Sequence, residues 1–348
     1  MDTGERSSQY QKVKEITDRL EAGIKDLFDS ERYKSWLSTM GRFHNYSLNN
    51  TLLIHMQNPD ASLVASYLSW QRNFGRQVNK GERAIRILAP TPYKKTIKTE
   101  RLDPVTGRPL LNPDGSLATD LKEVLMPAFK LVNVFDVSQT EGKELPTLGV
   151  DELTGDVEGF GDFLEALKAT CPVPIGFEDI KSGAKGYFHT VENRIAIQKD
   201  MSQIQTIKTL IHEMAHQKLH SVAPAAEHEP EEKLTRSRKE VEAESVAFTV
   251  ASRYGIDTSD YSFGYIAGWS GGKETKKLKE SLSRIRQAAD EMITAIDEHL
   301  EQIEKERHPE RPRMPSALQE LRDRKEETLE SETDNRPEQE PRRKETVR

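Results

Sequence analysis

The chain contains a single cysteine, Cys171. A disulfide framework within the chain and a cysteine-based zinc site are both excluded. There is no apolar run long enough to cross a bilayer, and Met1-Asp-Thr-Gly-Glu-Arg6 lacks the apolar core of a signal peptide. A cytoplasmic protein with no membrane partner is the expectation. Positive charge is not in excess either: 51 Lys and Arg stand against 58 Asp and Glu, a net charge of -7. The whole molecule therefore carries no nucleic-acid signature, and any basic surface must be local. With 35% hydrophobic and 31% charged residues the chain is polar for a globular protein, so part of it is expected to stay unpacked.

What is present centres on Thr206-Ile-Lys-Thr-Leu-Ile-His-Glu-Met-Ala-His-Gln-Lys-Leu-His220. Ile207, Leu210, Ile211, Met214 and Ala215 recur at helical spacing. His212 and His216 are four apart, so their rings share one face of that helix. With Glu213 between them this is H-E-x-x-H. Two imidazoles one turn apart can reach a single Zn²⁺, and the neighbouring carboxylate can take a proton from water there. A catalytic zinc usually has three protein ligands. Val222 stands where a longer metzincin pattern needs a third histidine, so that class is excluded. His220 lies too far along the axis to share the metal, and reads as helix surface or as a group behind the ligands.

The third ligand is expected from a downstream helix carrying Glu240, Glu242 and Glu244. Glu240 and Glu244 share a face and Glu242 points elsewhere, into solvent. Glu240 is chosen as ligand, with Glu244 bonded to the far nitrogen of a liganding histidine; the reverse assignment stays open at this point. The expected chemistry is peptide hydrolysis with Glu213 as the proton acceptor and donor. Tyr261, Tyr265 and His189 are the candidate donors to a developing oxyanion.

The chain has 348 residues, enough for two domains and a tail. The pattern is α+β. Helices are expected over 9–30, 31–40, from the Ser47 N-cap to Pro59, and over 67–74, ending at Gly75. Strands follow at 84–89, 93–99 and 122–134, with turns between. This first domain, 1–139, is thus helical with a small antiparallel sheet, and 140–154 reads as a linker. The second domain, 155–303, begins with a helix over 159–170. Strands follow at 175–179, 186–190 and 194–198, then the H-E-x-x-H helix, the helix from 237 to 254 and a long one over 274–303. Residues 304–348 are charged and proline-containing and read as a disordered tail.

Around the first sheet Arg72, Arg76, Lys80, Arg83, Arg86, Lys94, Lys95, Lys98 and Arg101 outnumber nearby acids, with aromatic residues interleaved. A basic groove with stacking rings is how proteins hold single strands. Composition alone does not separate that from aromatic residues in the core beside a solvated lysine face.

Asn45-Tyr-Ser-Leu-Asn-Asn50, Trp70 and Phe74-Gly-Arg-Gln-Val-Asn-Lys-Gly-Glu-Arg-Ala-Ile-Arg-Ile-Leu-Ala-Pro90 resemble the N-terminal domain of ArdC-type antirestriction proteins of plasmids and conjugative elements. The resemblance spans roughly 9–272, and the run from Tyr254 to Trp269 is similar to the LtrC-like branch. It implies a single-stranded-DNA-binding first domain, for which Tyr46, Asn49, Trp70, Arg76, Lys80, Arg83 and Arg86 are the candidate contacts. It also implies a zincin-like metallopeptidase domain of gluzincin type, related to Spartan-type and IrrE/ImmA-type enzymes. In the family the second metal segment looks like E-x-x-A-E, which Glu240-Val-Glu-Ala-Glu244 matches, so the resemblance implies Glu240 as ligand. The expected function is protection of incoming DNA from restriction, with one Zn²⁺ and a protein substrate. Two alternatives are an IrrE/ImmA-like protease that cuts a repressor, and a non-catalytic strand-coating protein with a structural zinc. Glu213 argues against the latter, since a structural site needs no base.

Overall fold

A computed structural model describes residues 3–103, 106–112, 115–145, 157–221, 236–256 and 275–307, with Thr258, Tyr261, Phe263 and Ile266 between the last two ranges. The architecture is α+β, with eight helices among the described residues.

The first helices are α1 (Thr3–Asp26), α2 (Ser30–Arg42), α3 (Leu48–Gln57) and α4 (Tyr67–Asn73). Their starts follow local chemistry. Asp29 caps α2 by accepting from the Glu31 and Arg32 N–H groups, and Ser47 caps α3 by accepting from Asn50 N–H. Gly75 follows α4 with a φ of +60°, a conformation that favours glycine.

Strand β1 (Val64–Ala65) pairs antiparallel with β6 (Phe129–Asp136), which pairs antiparallel with β3 (Ile85–Pro90). The short β2 (Arg76–Val78) pairs with β7 (Thr140–Gly142), so the start of the expected linker is a strand. The single strand expected over 122–134 is two. Pro127 cannot donate to a ladder, and the ribbon breaks there into β5 (Thr119–Met126) and β6. Thr91 N–H donates to Ala128 O across the bend, and beyond it β4 (Tyr93–Glu100) pairs with β5 as a two-stranded arm. The arm leaves Tyr93, Leu121 and Leu125 exposed.

The free edge of β3 is covered by side-chain amides of α3. Asn50 donates to Leu88 O and accepts from Leu88 N–H, both at 2.9 Å, and Gln57 does the same for Arg86 at 3.0 Å. Two turns of helix thus stand in for a neighbouring strand, which closes an otherwise sticky edge. Asn50 belongs to the run that carries the family resemblance, and this is its structural work.

The second part holds α5 (Val157–Thr170), β8 (Ile175–Glu178), β9 (Gly186–His189), β10 (Arg194–Gln198), α6 (Gln203–His220), α7 (Arg236–Arg253) and α8 (Thr275–Arg307). In the sheet β10 is central, parallel to β8 and antiparallel to β9. Helix α6 lies against it so closely that a Cβ at Gly186 would come within 2.6 Å of Thr209 Cγ2.

The two parts share one apolar core. Tyr33, Trp36, Leu37 and Met40 of α2 join Leu210 and Ile211 of α6, Val246 and Val250 of α7, and Leu282 and Ile293 of α8 in a continuous buried cluster. Polar ties cross the same boundary: Tyr33 Oη to Ser245 Oγ at 2.9 Å, Ser252 Oγ to Ser38 Oγ at 3.1 Å, and His44 Nδ1 to Asp290 Oδ1 at 2.9 Å. Of the expected tail over 304–348, residues 304–307 belong to α8 and 308–348 lie outside the described residues. No described helix is long and apolar enough to cross a membrane.

Candidate metal centre

Helix α6 is capped by Ser202 and begins at Gln203, three residues before the stretch that periodicity picks out. Its apolar face, with Leu210, Ile211 and Ala215 fully buried, fixes its rotation. His212 and His216 therefore emerge together toward α7, ring centroids 4.7 Å apart. Their Nε2 atoms are 3.1 Å apart, and Glu240 Oε2 lies 3.6 Å from one and 3.5 Å from the other. These three residues can hold one metal ion. A tetrahedral zinc with ligands at about 2.0–2.2 Å has ligand–ligand edges of about 3.3–3.6 Å. The two edges to Glu240 fall in that range and the edge between the two Nε2 atoms, 3.1 Å, is slightly shorter, so the donor set is close in size to what a divalent cation needs and suits it in chemistry.

Behind the triangle, His212 Nδ1–H points at Glu244 Oε2, 3.2 Å away. This contact leaves Nε2 as the nitrogen free for a cation. Burial pulls the His212 pKa down, but Glu240, Glu244 and the Glu213 charge outweigh it and lift it to about 10. Contacts with His212 and then His216 hold the Glu240 carboxyl well below the usual carboxylate range. The sign follows directly. Below pH 10 His212 keeps a proton that a bound cation must displace. Cation affinity is therefore expected to rise about tenfold per pH unit across the neutral range, with about one proton released. Calorimetric titration with zinc in two buffers of different ionisation enthalpy checks this, and heats independent of the buffer would refute it.

Glu213 is buried beside the triangle. Burial raises its carboxyl pKa, countered by His212, His216 and the Phe188 backbone N–H, which it accepts. Phe188 belongs to β9, an edge strand of its sheet, so that edge runs beside Glu213.

Several expected features stand differently. Glu242 is not solvated: it is 1% exposed, accepting from Arg238 Nε at 3.1 Å and Arg284 Nη2 at 2.8 Å. Arg238 lies at the i−4 spacing that could have signalled one bond; Arg284 comes from α8 and left no local signal. His220 is no surface residue, with its side chain 4% exposed. Burial lowers its pKa. Tyr261 is buried in the core, edge-on to Phe248 with the Lys208 ammonium 5.5 Å from its ring centroid. Tyr265 lies outside the described residues. His189 Nδ1 accepts from Glu192 N–H.

Among the nucleic-acid candidates, Trp70 is corrected to a core residue. It is fully buried against Phe74 and donates its indole N–H to Phe135 O, so neither ring face can receive a base. Arg76 spends its guanidinium on Thr140 Oγ1, Thr140 O and Lys143 O. Tyr46 is half-buried, edge-on to Phe43. Asn49, Lys80, Arg83 and Arg86 are exposed.

Residues 7–135 match the model described as the N-terminal domain of anti-restriction factor ArdC. Residues 137–270 match that of a "Putative metallopeptidase family". A protein of Bacillus anthracis, pXO2-81, described as uncharacterized, is 27% identical over 336 residues, 89% of this chain and 56% of its own length. The chain thus spans about half the length of that curated relative. Two solved structures are similar, both of the antirestriction ArdC protein from plasmid R388. The metal-free crystal structure is 21% identical, covering 74% of this chain and 84% of that one, with a TM-score of 0.38. The Mn(II)-bound crystal structure is 19% identical, covering 83% and 96%, with a TM-score of 0.42. A domain matching the ArdC N-terminal model is thus followed directly by one matching the "Putative metallopeptidase family".

Proposed function

We propose that the chain is a zinc-dependent peptidase joined to a single-stranded-DNA-binding region, serving antirestriction for a mobile element during conjugation. The observation that carries the peptidase reading is the triangle of two Nε2 atoms and one carboxylate oxygen beside a buried fourth group, Glu213. His212, His216 and Glu240 would hold the zinc, and Glu244 would orient His212. The Lewis acidity that a bound zinc supplies polarises a carbonyl and acidifies water. Glu213 takes up the proton and returns it to the leaving amine; its raised pKa suits both steps. The outer edge of β9 has no partner strand among the described residues, and its backbone groups other than the Phe188 N–H are open to an extended peptide, which makes an unfolded or extended protein segment the fitting substrate. A purely structural zinc is disfavoured, because it leaves the burial of an ionisable Glu213 without a purpose.

In this reading residues 1–139 bind DNA and 155–303 carry the peptidase. The DNA reading rests on the family resemblance and on the exposed cations Lys80, Arg83 and Arg86, with Asn49. The site works in the cytoplasm.

One experiment addresses both halves. Chelation is expected to remove about one zinc per chain and abolish peptide cleavage, and zinc is expected to restore it. Single-strand binding should persist through chelation and weaken steeply with salt. Cleavage that survives complete chelation would sink the peptidase reading, and indifference to single strands would sink the DNA reading.

A further inference from the structure

Glu240 is the odd member of the triangle. Its side chain is 43% exposed, against 23% for His212 and 16% for His216. Packing of its own carboxylate arm cannot hold it in place, so its position depends on the backbone of α7.

That backbone is tied at the preceding residue. His220 Nε2 lies 3.1 Å from Lys239 O. A carbonyl only accepts, so Nε2 carries the hydrogen and donates. The ring sits one turn beyond His216, 5.5 Å between ring centroids. Its other nitrogen, Nδ1, is buried with no hydrogen-bond partner among the described residues. A buried polar atom without a partner is costly, and an apolar side chain of similar volume would avoid that cost. What the imidazole supplies at this position is its hydrogen bond to Lys239 O of α7, with Glu242 Oε2 of the same helix 4.0 Å from Nε2.

The other side of the same helical turn is tied as well. Buried Glu242 accepts from Arg238 of α7 and Arg284 of α8, and Arg238 Nη2 donates to Ser281 Oγ of α8 at 2.9 Å. The turn bearing Glu240 is thus held from α6 by His220 and from α8 by Arg284. Without the α6 tie, nothing described at residue 239 or 240, apart from the Glu240 carboxylate itself, joins this turn to the helix that carries the two histidines.

We infer that His220 is a positioning residue for the metal centre, setting the height of Glu240 against His212 and His216 through the Lys239 carbonyl. The inference rests on the zinc-site reading given above. It extends the motif to H-E-x-x-H-x-x-x-H, with the last histidine bonding the backbone beside the third ligand instead of the cation.

The test compares full-length wild type, His220→Leu and His220→Gln. Zinc affinity is read by competition with a chromophoric chelator, and thermal unfolding is recorded on the chelated proteins. His220→Leu should bind zinc about 10–100-fold more weakly, the range for residues that orient metal ligands. His220→Gln, whose amide N–H can reach the same carbonyl, should recover most of that loss. The chelated Leu variant should melt no lower than chelated wild type. Wild-type zinc affinity in His220→Leu would overturn the inference. So would a joint fall in affinity and chelated-state stability that His220→Gln does not repair, since that is a merely structural role. A wild type that binds no zinc would overturn the zinc site itself, and His220's role with it, which separates the two failures.

Discussion

Glu213→Gln is expected to lower kcat for peptide cleavage by about 10²–10⁴-fold while zinc content stays at the wild-type level. The substitution keeps size and keeps an oxygen to accept the Phe188 N–H, but removes the carboxylate proposed to take and return the proton. The ligand triangle does not include Glu213, so metal loading should survive. Stability should move the other way. Burial raises the Glu213 pKa in the folded chain, so the folded state favours the protonated form. Its contribution is present at acid pH and is lost as pH rises through the folded pKa. Above that pKa the ionised carboxylate is a burden that glutamine lacks, so there the variant should be at least as stable as wild type. Cleavage of a peptide library, with zinc measured on the same samples, checks this. Cleavage within threefold of wild type at full zinc occupancy would remove Glu213 from the mechanism.

Local pattern was enough for those parts of the site that sit on one or two helices. The four-residue spacing of His212 and His216 puts both rings on one face whatever the rest of the chain does, and the same spacing joins Glu240 and Glu244. Capping chemistry gave the start of α3 at Ser47 for the same reason: donor and acceptor are three residues apart.

The parts that were not legible are set by distant partners. Glu242 is a buried carboxylate only because Arg284 arrives from α8, 42 residues later. His220 is buried only because α7 closes over the end of α6. Trp70 and Arg76 look like nucleic-acid contacts in composition. Burial of the indole and the bonds of the guanidinium to Thr140 and Lys143 depend on β6 and β7, more than 60 residues away. The break at Pro127 was legible in principle, because a proline in a paired strand removes a donor. The alternation on either side hid it.

Trp36→Ala is expected to cost about 3–5 kcal/mol, the range for a large aromatic removed from a packed core. At roughly 2–4 °C per kcal/mol for a chain of this size, the melting temperature should fall by about 6–20 °C. The number of transitions matters more than the size of the shift. Trp36 lies in the stretch that matches the ArdC N-terminal domain, yet it is fully buried in a core shared with α6, α7 and α8. Its neighbour Tyr33 bonds Ser245 of α7 and packs edge-on against Phe263, ring centroids 5.1 Å apart. One turn on, Gly41 sits so near α7 that a Cβ would come within 2.8 Å of Thr249 O. Halves joined in this way should unfold together, giving one calorimetric transition that moves as a whole. Two transitions, with only the lower one displaced, would mean that the shared core is energetically negligible. A single displaced transition would mean that events in the first 135 residues reach α7, and with it Glu240, through packed side chains and not through a flexible connection.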